Sequence, residues 1–378
     1  MTNRGAPEAT SPPLGLYVHI PWCVRKCPYC DFNSHAAQGE LEEQAYVDAL
    51  LTDLAREEAG GRVVETLFIG GGTPSLFSGE AITRLLQGIR DTLDLASDTE
   101  ITLEANPGAV DAAHFEAYRE AGVNRLSIGI QSFDGDALQR LGRIHDARQA
   151  VEAFETARAA GFENINLDLM FGLPQQKLEE ALDDLRRAIA LGPEHLSWYQ
   201  LTLEPHTPFH RHPPPLPADD LVWEMQEQGL ELLAKAGYGR YETSTHALEG
   251  WRCRHNLNYW RFGDYLGIGA GAHGKITAGE VTRYWKERHP VRYLESPGKT
   301  GSRQVRGKEL ALEFLMNALR LAEGVEEELF FRRTGLPVRS LEPVLTRMRK
   351  RGLMEVKRLQ ATPRGYDFLN DLLVGFET

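Results

Sequence analysis

The sequence predicts an α/β fold: a partial (β/α)6 barrel of the TIM type, followed by a C-terminal, mainly α, winged-helix-like domain. Three observations predict it. Short β-branched runs alternate with long amphipathic stretches six times in about 190 residues. Polar or chemically reactive residues stand at or just beyond the C-terminal ends of those runs. From about residue 307 the alternation stops and helical patterns take over.

The runs are LYVHI (16–20), TLFIG (66–70), ITLEAN (101–106), RLSIGI (125–130), NINLDLMFG (164–172) and HLSWYQLTL (195–203). Between them lie helical stretches such as EEQAYVDALLTDLAREE (42–58), AITRLLQGIRDTL (81–93), AAHFEAYREAG, ARQAVEAFETARAAG and LEEALDDLRRAIALG. Several close on glycine, the residue that best takes the left-handed position ending a helix. Repeated βα units build a parallel sheet, either doubly wound or curled into a barrel. A doubly wound sheet gathers its reactive groups at one switch point. A barrel brings the ends of all its strands to one face. Here a cysteine loop follows the first run and GGGTP the second. Glu104 ends the third, Gln131 the fourth, Asp168 lies late in the fifth and Gln200 in the sixth. That spread favours the barrel.

A Pro/His-rich segment, EPHTPFHRHPPPLPADD (204–220), then breaks the alternation and reads as a surface excursion or lid. Its histidines read as solvated loop residues rather than metal ligands. A helix over about 219–236, a strand RYETSTHA (240–247) and the aromatic block WRCRHNLNYWRFGDYLGIGAGAHG follow. Beyond 307 the pattern gives three short helices, a β-hairpin and a terminal helix. The expected division is a flexible lead-in (1–15), the barrel (16–237), an extension (238–300) and the winged-helix-like domain (301–378).

Composition narrows the function. With 42% hydrophobic and 25% charged residues, the chain has the make-up of a soluble globular protein. No apolar run is long enough to span a bilayer, and the start MTNRGAPEATSPPLG has no apolar signal core. A net charge of −12 argues against general nucleic-acid binding. Residues 301–378 differ, with 14 Lys and Arg against 11 Asp and Glu. Arg347, Arg349 and Arg351 share one helix there, but a basic face without interleaved base-reading residues reads as a solvated face. Nucleic acid is therefore not an expected partner. Four cysteines, three of them clustered, make a poor disulfide framework and point to a reducing, cytoplasmic setting with metal or redox chemistry.

Those three are Cys23, Cys27 and Cys30 in CVRKCPYC. Pro28, directly after Cys27, argues against one regular helix carrying all three, so a wrapped loop is expected. Structural zinc wants four ligands, and an iron–sulfur cubane wants four thiolates. Three thiols thus leave a cubane with one iron free for a small-molecule chelator. The competing reading is a zinc site completed by a histidine such as His35.

YVHIPWCVRKCPYCDF resembles the cluster loop of the radical S-adenosylmethionine (SAM) superfamily, and more narrowly that of the oxygen-independent coproporphyrinogen dehydrogenase group. The resemblance implies a [4Fe–4S] cluster on Cys23, Cys27 and Cys30, with SAM chelating the fourth iron. It covers roughly residues 16–275, and the remainder is similar to that group's C-terminal domain. LFIGGGTPSLF (68–77), with Gly71, Gly72 and Thr73, resembles the glycine motif that meets the SAM amino group. Bare backbone there suits close approach of an ammonium. By the same resemblance Tyr17, Glu104, Gln131, Arg143 and Asp168 become SAM-contacting positions. Read alone, Tyr17 is core packing, Arg143 a surface helix residue and Asp168 a cap.

Two functions share this scaffold: a dehydrogenase that decarboxylates a porphyrinogen through a SAM-derived radical, and a HemW-type heme chaperone that delivers heme to acceptor proteins, membrane-associated ones among them. The dehydrogenase pattern continues CxxxCxxCxC, whereas Phe32 holds that last position here. The dehydrogenase also carries a long N-terminal region, and only about 15 residues precede the first strand here. CRHNLNYW (253–260) is similar to the chaperone's HNxxYW motif. These three features favour the chaperone. His255 is then the expected heme ligand, with Tyr259 and Trp260 as flat apolar surface for the macrocycle. Cys253 and His273 are alternative ligands, and the bland reading has His255 stabilising a turn while the aromatics fill core.

Overall fold

The computed structural model describes residues 11–377; the first ten residues of the expected lead-in lie outside the described residues. All six expected runs form strands. They are β1 (Leu14–Ile20), β4 (Val64–Gly71), β5 (Leu95–Ala105), β6 (Arg125–Gln131), β7 (Ile165–Phe171) and β8 (His195–Gln200). Each pairs in parallel with the next. Between β1 and β4, the two-residue strands β2 (Trp22–Cys23) and β3 (His35–Ala36) pair with each other.

The alternation along β1 shows how the sequence curls the sheet. Leu14, Leu16, Val18 and Ile20 are buried beneath the outer helices, while Gly15, Tyr17 and His19 face the concave interior. The outer helices obey the same logic. Gly79–Thr92 begins at Ser78, whose side chain accepts from Ala81 N at 3.2 Å. It buries Ala81, Ile82, Leu85, Leu86 and Ile89, the spacing of one helical face. Left-handed Gly122 and Gly192 end the helices Ala112–Ala121 and Leu178–Leu191.

The barrel is open, because β8 and β1 do not pair. The 238–300 segment supplies both edges instead. Beyond β8 lie β10 (Thr245–Ala247) and β9 (Gly239–Arg240), antiparallel, so the expected strand 240–247 is in fact two short strands. Beyond β1 lie β11 (Asp264–Ile268), parallel to it, and then β12 (His273–Ala278), β13 (Glu280–Lys286) and β14 (Lys299–Val305), antiparallel. Together they form one 12-stranded sheet. β14 runs across the expected boundary at 300/301, and the C-terminal hydrophobic core includes Phe262 and Val281 from the extension. No break in the core falls at that boundary.

The C-terminal region is mainly α, with helices at Gly307–Ala318, Glu327–Thr334 and Val344–Lys350. The expected hairpin is reduced to the isolated bridge Met354–Ala361, and the terminal helix is divided into Pro363–Asp367 and Leu369–Val374. Arg349 pairs with Glu327 at 2.6 Å and Arg347 donates to Gly375 O at 3.2 Å. The basic helix thus spends these charges inside its own domain.

Candidate functional site

Because the barrel strands are parallel, their C-terminal ends meet on one face, and there a cavity of about 830 Å3 opens beneath the cysteine loop. Cys23, Cys27 and Cys30 line it as free, partly buried thiols. The loop is wrapped rather than helical. Cys30 N donates to Cys27 O at 3.2 Å, and the Lys26 ammonium donates to the carbonyls of Phe32 (2.9 Å) and Ser34 (3.1 Å). Burial raises the Cys23 and Cys30 thiols, with the Thr73 and Phe32 hydrogen bonds opposing it at each in turn. No group of three His, Cys, Asp or Glu side chains that could hold a single metal ion occurs among the described residues. Three thiols around one opening, with a bare backbone opposite, fit a body larger than one ion.

That bare backbone is Gly71–Gly72. Gly71 has φ +122°, and a Cβ there would stand 2.7 Å from His19 Cε1. A Cβ on Gly72 would stand 2.5 Å from Trp22 O and 3.0 Å from Cys23 Sγ. Gly72→Ala is therefore expected to push the cysteine loop outward. It should lower stability by about 1–3 kcal/mol and reduce iron uptake, measured by denaturation and iron analysis.

The other expected SAM contacts converge here. Thr73, Glu104, Gln131, Arg143 and Asp168 line the large cavity with the glycines, and Tyr17 lines a smaller cavity beside it. Glu104 accepts from Gly71 N at 3.0 Å, and burial, aided by nearby Asp168, pushes its carboxyl up to about 8. Asp168 accepts from Ser127 Oγ (3.0 Å) and Asn166 Nδ2 (2.8 Å), so it is a held carboxyl in the wall and not a helix cap. Burial raises its carboxyl as well. Gln131 reaches the cavity because the β6–β7 register slips between Gly129 and Gln131, and Gln131 itself has φ +71°. Its Oε1 accepts from the Tyr199 hydroxyl at 2.8 Å. Arg143 is half-buried and turned inward rather than a surface residue. It donates to Gly129 O at 2.6 Å and lies 3.8 Å from Cys27 Sγ.

The CRHNLNYW segment departs from expectation. It forms the short helix Arg254–Trp260, which fills the opposite, N-terminal end of the barrel. The Glu100 carboxylate accepts from Arg254 N (3.0 Å) and His255 N (2.9 Å) and meets Cys253 Sγ at 3.5 Å. His255 is 1% exposed. Its Nδ1 lies 2.9 Å from Thr66 Oγ1 and its Nε2 3.0 Å from the Tyr259 hydroxyl, and its ring stacks on Phe68 at 5.2 Å. Both nitrogens are committed, so His255 is not presented as a heme ligand; it plugs the barrel. Cys253 is likewise fully buried, and burial pushes its thiol up to about 12. Trp260 does line the large cavity at its far end, with Arg320 over its ring at 4.3 Å. Tyr259 lines the smaller cavity, as does His273, which is exposed.

Residues missed in the sequence also build this face. Ser197 and Tyr199 line the cavity by the period-two alternation of HLSWYQ, a signal present in the sequence but unused. Asn33 had no local signal; it matters through contacts with Ala270 and Arg288. The Pro/His-rich segment leans on the cysteine loop, with Phe209 N donating to Pro28 O at 3.0 Å.

Comparison with known proteins agrees with this architecture. Residues 17–188 match the radical SAM superfamily and residues 305–368 the HemN C-terminal domain. The chain is 53% identical over 368 residues to the heme chaperone HemW of Escherichia coli (strain K12), covering 96% of this chain and 97% of that protein. It is 36% identical to the heme chaperone HemW of Bacillus subtilis (strain 168), covering 89% and 92%. The solved structure of the radical SAM enzyme coproporphyrinogen III oxidase (HemN) from Escherichia coli superposes with a TM-score of 0.83 at 23% identity, covering 97% of this chain and 91% of that one. That likeness speaks for the fold. The chain belongs to the radical SAM superfamily and, within it, to the family of the heme chaperone HemW.

Proposed function

We propose that the chain is a heme chaperone that binds heme and passes it to acceptor proteins. On this reading Cys23, Cys27 and Cys30 hold a [4Fe–4S] cluster, and SAM sits in the cavity beneath. The observation that carries the cofactor reading is the convergence of three free thiols, the Gly71–Thr73 backbone, Glu104, Gln131, Arg143 and Asp168 on one cavity of about 830 Å3. Bound there, the cluster and SAM supply one-electron chemistry. The chain's own residues shape the site: Glu104 offers a carboxyl to a cationic ligand, and Arg143 orders the β6 end against the loop. The zinc alternative with His35 gains no support, since His35 faces His289 at 5.7 Å.

Phe32 supports the chaperone over the dehydrogenase. It stands where the dehydrogenase pattern has a further cysteine, and it is 59% exposed. The two relatives named as heme chaperones are also more similar than the oxidase, at 53% and 36% against 23% identity. No helix among the described residues is long and apolar enough to cross a membrane. We place the activity in the cytoplasm, with heme acceptors as partners and no nucleic acid. One anaerobically reconstituted sample tests this. It should bind about one heme per chain and leave coproporphyrinogen III unchanged when given SAM and a reductant. SAM-dependent formation of protoporphyrinogen IX would instead identify a dehydrogenase.

A further inference from the structure

We infer that heme is seated in the smaller cavity beside the cysteine loop, with His273 as iron ligand and Arg288 as partner of a propionate. This rests on the heme-binding reading above and goes beyond it by naming the seat. Heme is a flat apolar disc with a Lewis-acidic centre and two carboxylates on one edge. It asks for aromatic walls, a free imidazole nitrogen and a cation, and the cavity of about 440 Å3 offers all three. Tyr17, Phe32, Tyr259 and Tyr265 supply aromatic surface. Phe32, with its ring largely in solvent, is an apolar cost in the free protein that a macrocycle would remove.

The histidines of this region differ in what they have left to give. His255 is committed at both nitrogens, and so is His19, to the Tyr17 hydroxyl (3.0 Å) and Asn33 O (2.9 Å). His35 and His289 face each other outside the cavity. The exposed His273 ring lines the cavity and makes no hydrogen bond among the described residues. Arg288 lines it too, exposed and without an ion pair among the described residues. A guanidinium in that state can take a carboxylate in two parallel hydrogen bonds.

Asn33 fixes these groups relative to one another. Its Nδ2 donates to Ala270 O at 2.9 Å and to Arg288 O at 2.8 Å, tying the end of the cysteine loop to the turn before His273 and to the segment after β13. Gly271, at φ +83°, makes room: a Cβ there would lie 2.3 Å from Asn33 Nδ2. The two cavities share Phe32, Gly71 and Glu104 as a common wall. Heme in the smaller one would therefore lie directly beside the contents of the larger.

The test is a heme titration of the full-length, anaerobically reconstituted protein, followed by visible absorption. His273→Ala, at an exposed position, should weaken binding roughly ten-fold or more and shift the Soret band, and added imidazole should restore the parent spectrum. Arg288→Ala should weaken binding of heme but not of its dimethyl ester, which lacks the carboxylates. Unchanged affinity and spectrum in His273→Ala would overturn the seat while leaving the chaperone reading intact. A parent protein that binds no heme would overturn both.

Discussion

Protein carrying Cys27→Ser is expected to leave anaerobic iron–sulfide reconstitution without its visible chromophore, its iron falling from about four per chain to near background. Cys27 is one of three thiols on the cavity's mouth, and no spare thiol can replace it. The fourth cysteine, Cys253, lies buried at the other end of the barrel against Glu100. The loop does not rely on the thiols for its shape, which comes from Lys26, Asn33 and the β2–β3 pairing. The variant should therefore keep the parent's circular dichroism while losing its iron. Cys253→Ser is the matched control and should keep the chromophore. An intact chromophore in Cys27→Ser would mean that the ligand set is not the three loop cysteines.

His255→Ala is expected to act on stability. It removes a fully buried ring and leaves the Thr66 and Tyr259 hydroxyls without their partner, a loss of about 3 kcal/mol, read by chemical denaturation. The effect should depend on pH in a definite sense. Burial, with Arg125 adding to it, pushes the His255 imidazole down to about 3 in the fold, against 6.5 for the free side chain. Between those values the unfolded chain binds a proton that the folded one refuses. The contribution of His255 is thus complete above pH ~6.5 and is lost as pH falls toward ~3. The gap between parent and variant should narrow through that window. A constant gap, or a variant as stable as the parent at neutral pH, would show that the ring is not held as described. Any drop in heme binding by this variant should follow its lost stability, and binding by its folded fraction should remain.

The barrel strands were legible because each is a short β-branched run set between amphipathic helical stretches, and helix caps leave glycines just past the helix ends. The thiol loop and GGGTP were legible because their chemistry is local: one short segment carries its own donors. Glu104, Gln131 and Asp168 were legible as polar residues at strand ends, whereas Arg143 could be placed only by resemblance. Nothing near Arg143 in the chain announces that it turns inward to Gly129 O.

The HNLNYW segment marks the limit. The sequence by itself determined that this stretch is aromatic and polar by turns, and that a family carries it. It could not determine that the partners of His255 would be Thr66 and Tyr259, or that Glu100 would accept from the segment's first amides. Periodicity reports that a face is buried but never what covers it, and of the covering groups here Thr66 and Glu100 lie more than 150 residues away in the chain. The same holds for β11, which joins β1 in parallel from the far side of the barrel sequence. The sequence therefore determined the strands, the helices and the cluster loop, each written in local spacing. Only the tertiary structure decided which histidine is spent inside the barrel and which stands free at its mouth. That difference arises from hydrogen bonds formed between distant segments once the sheet has curled.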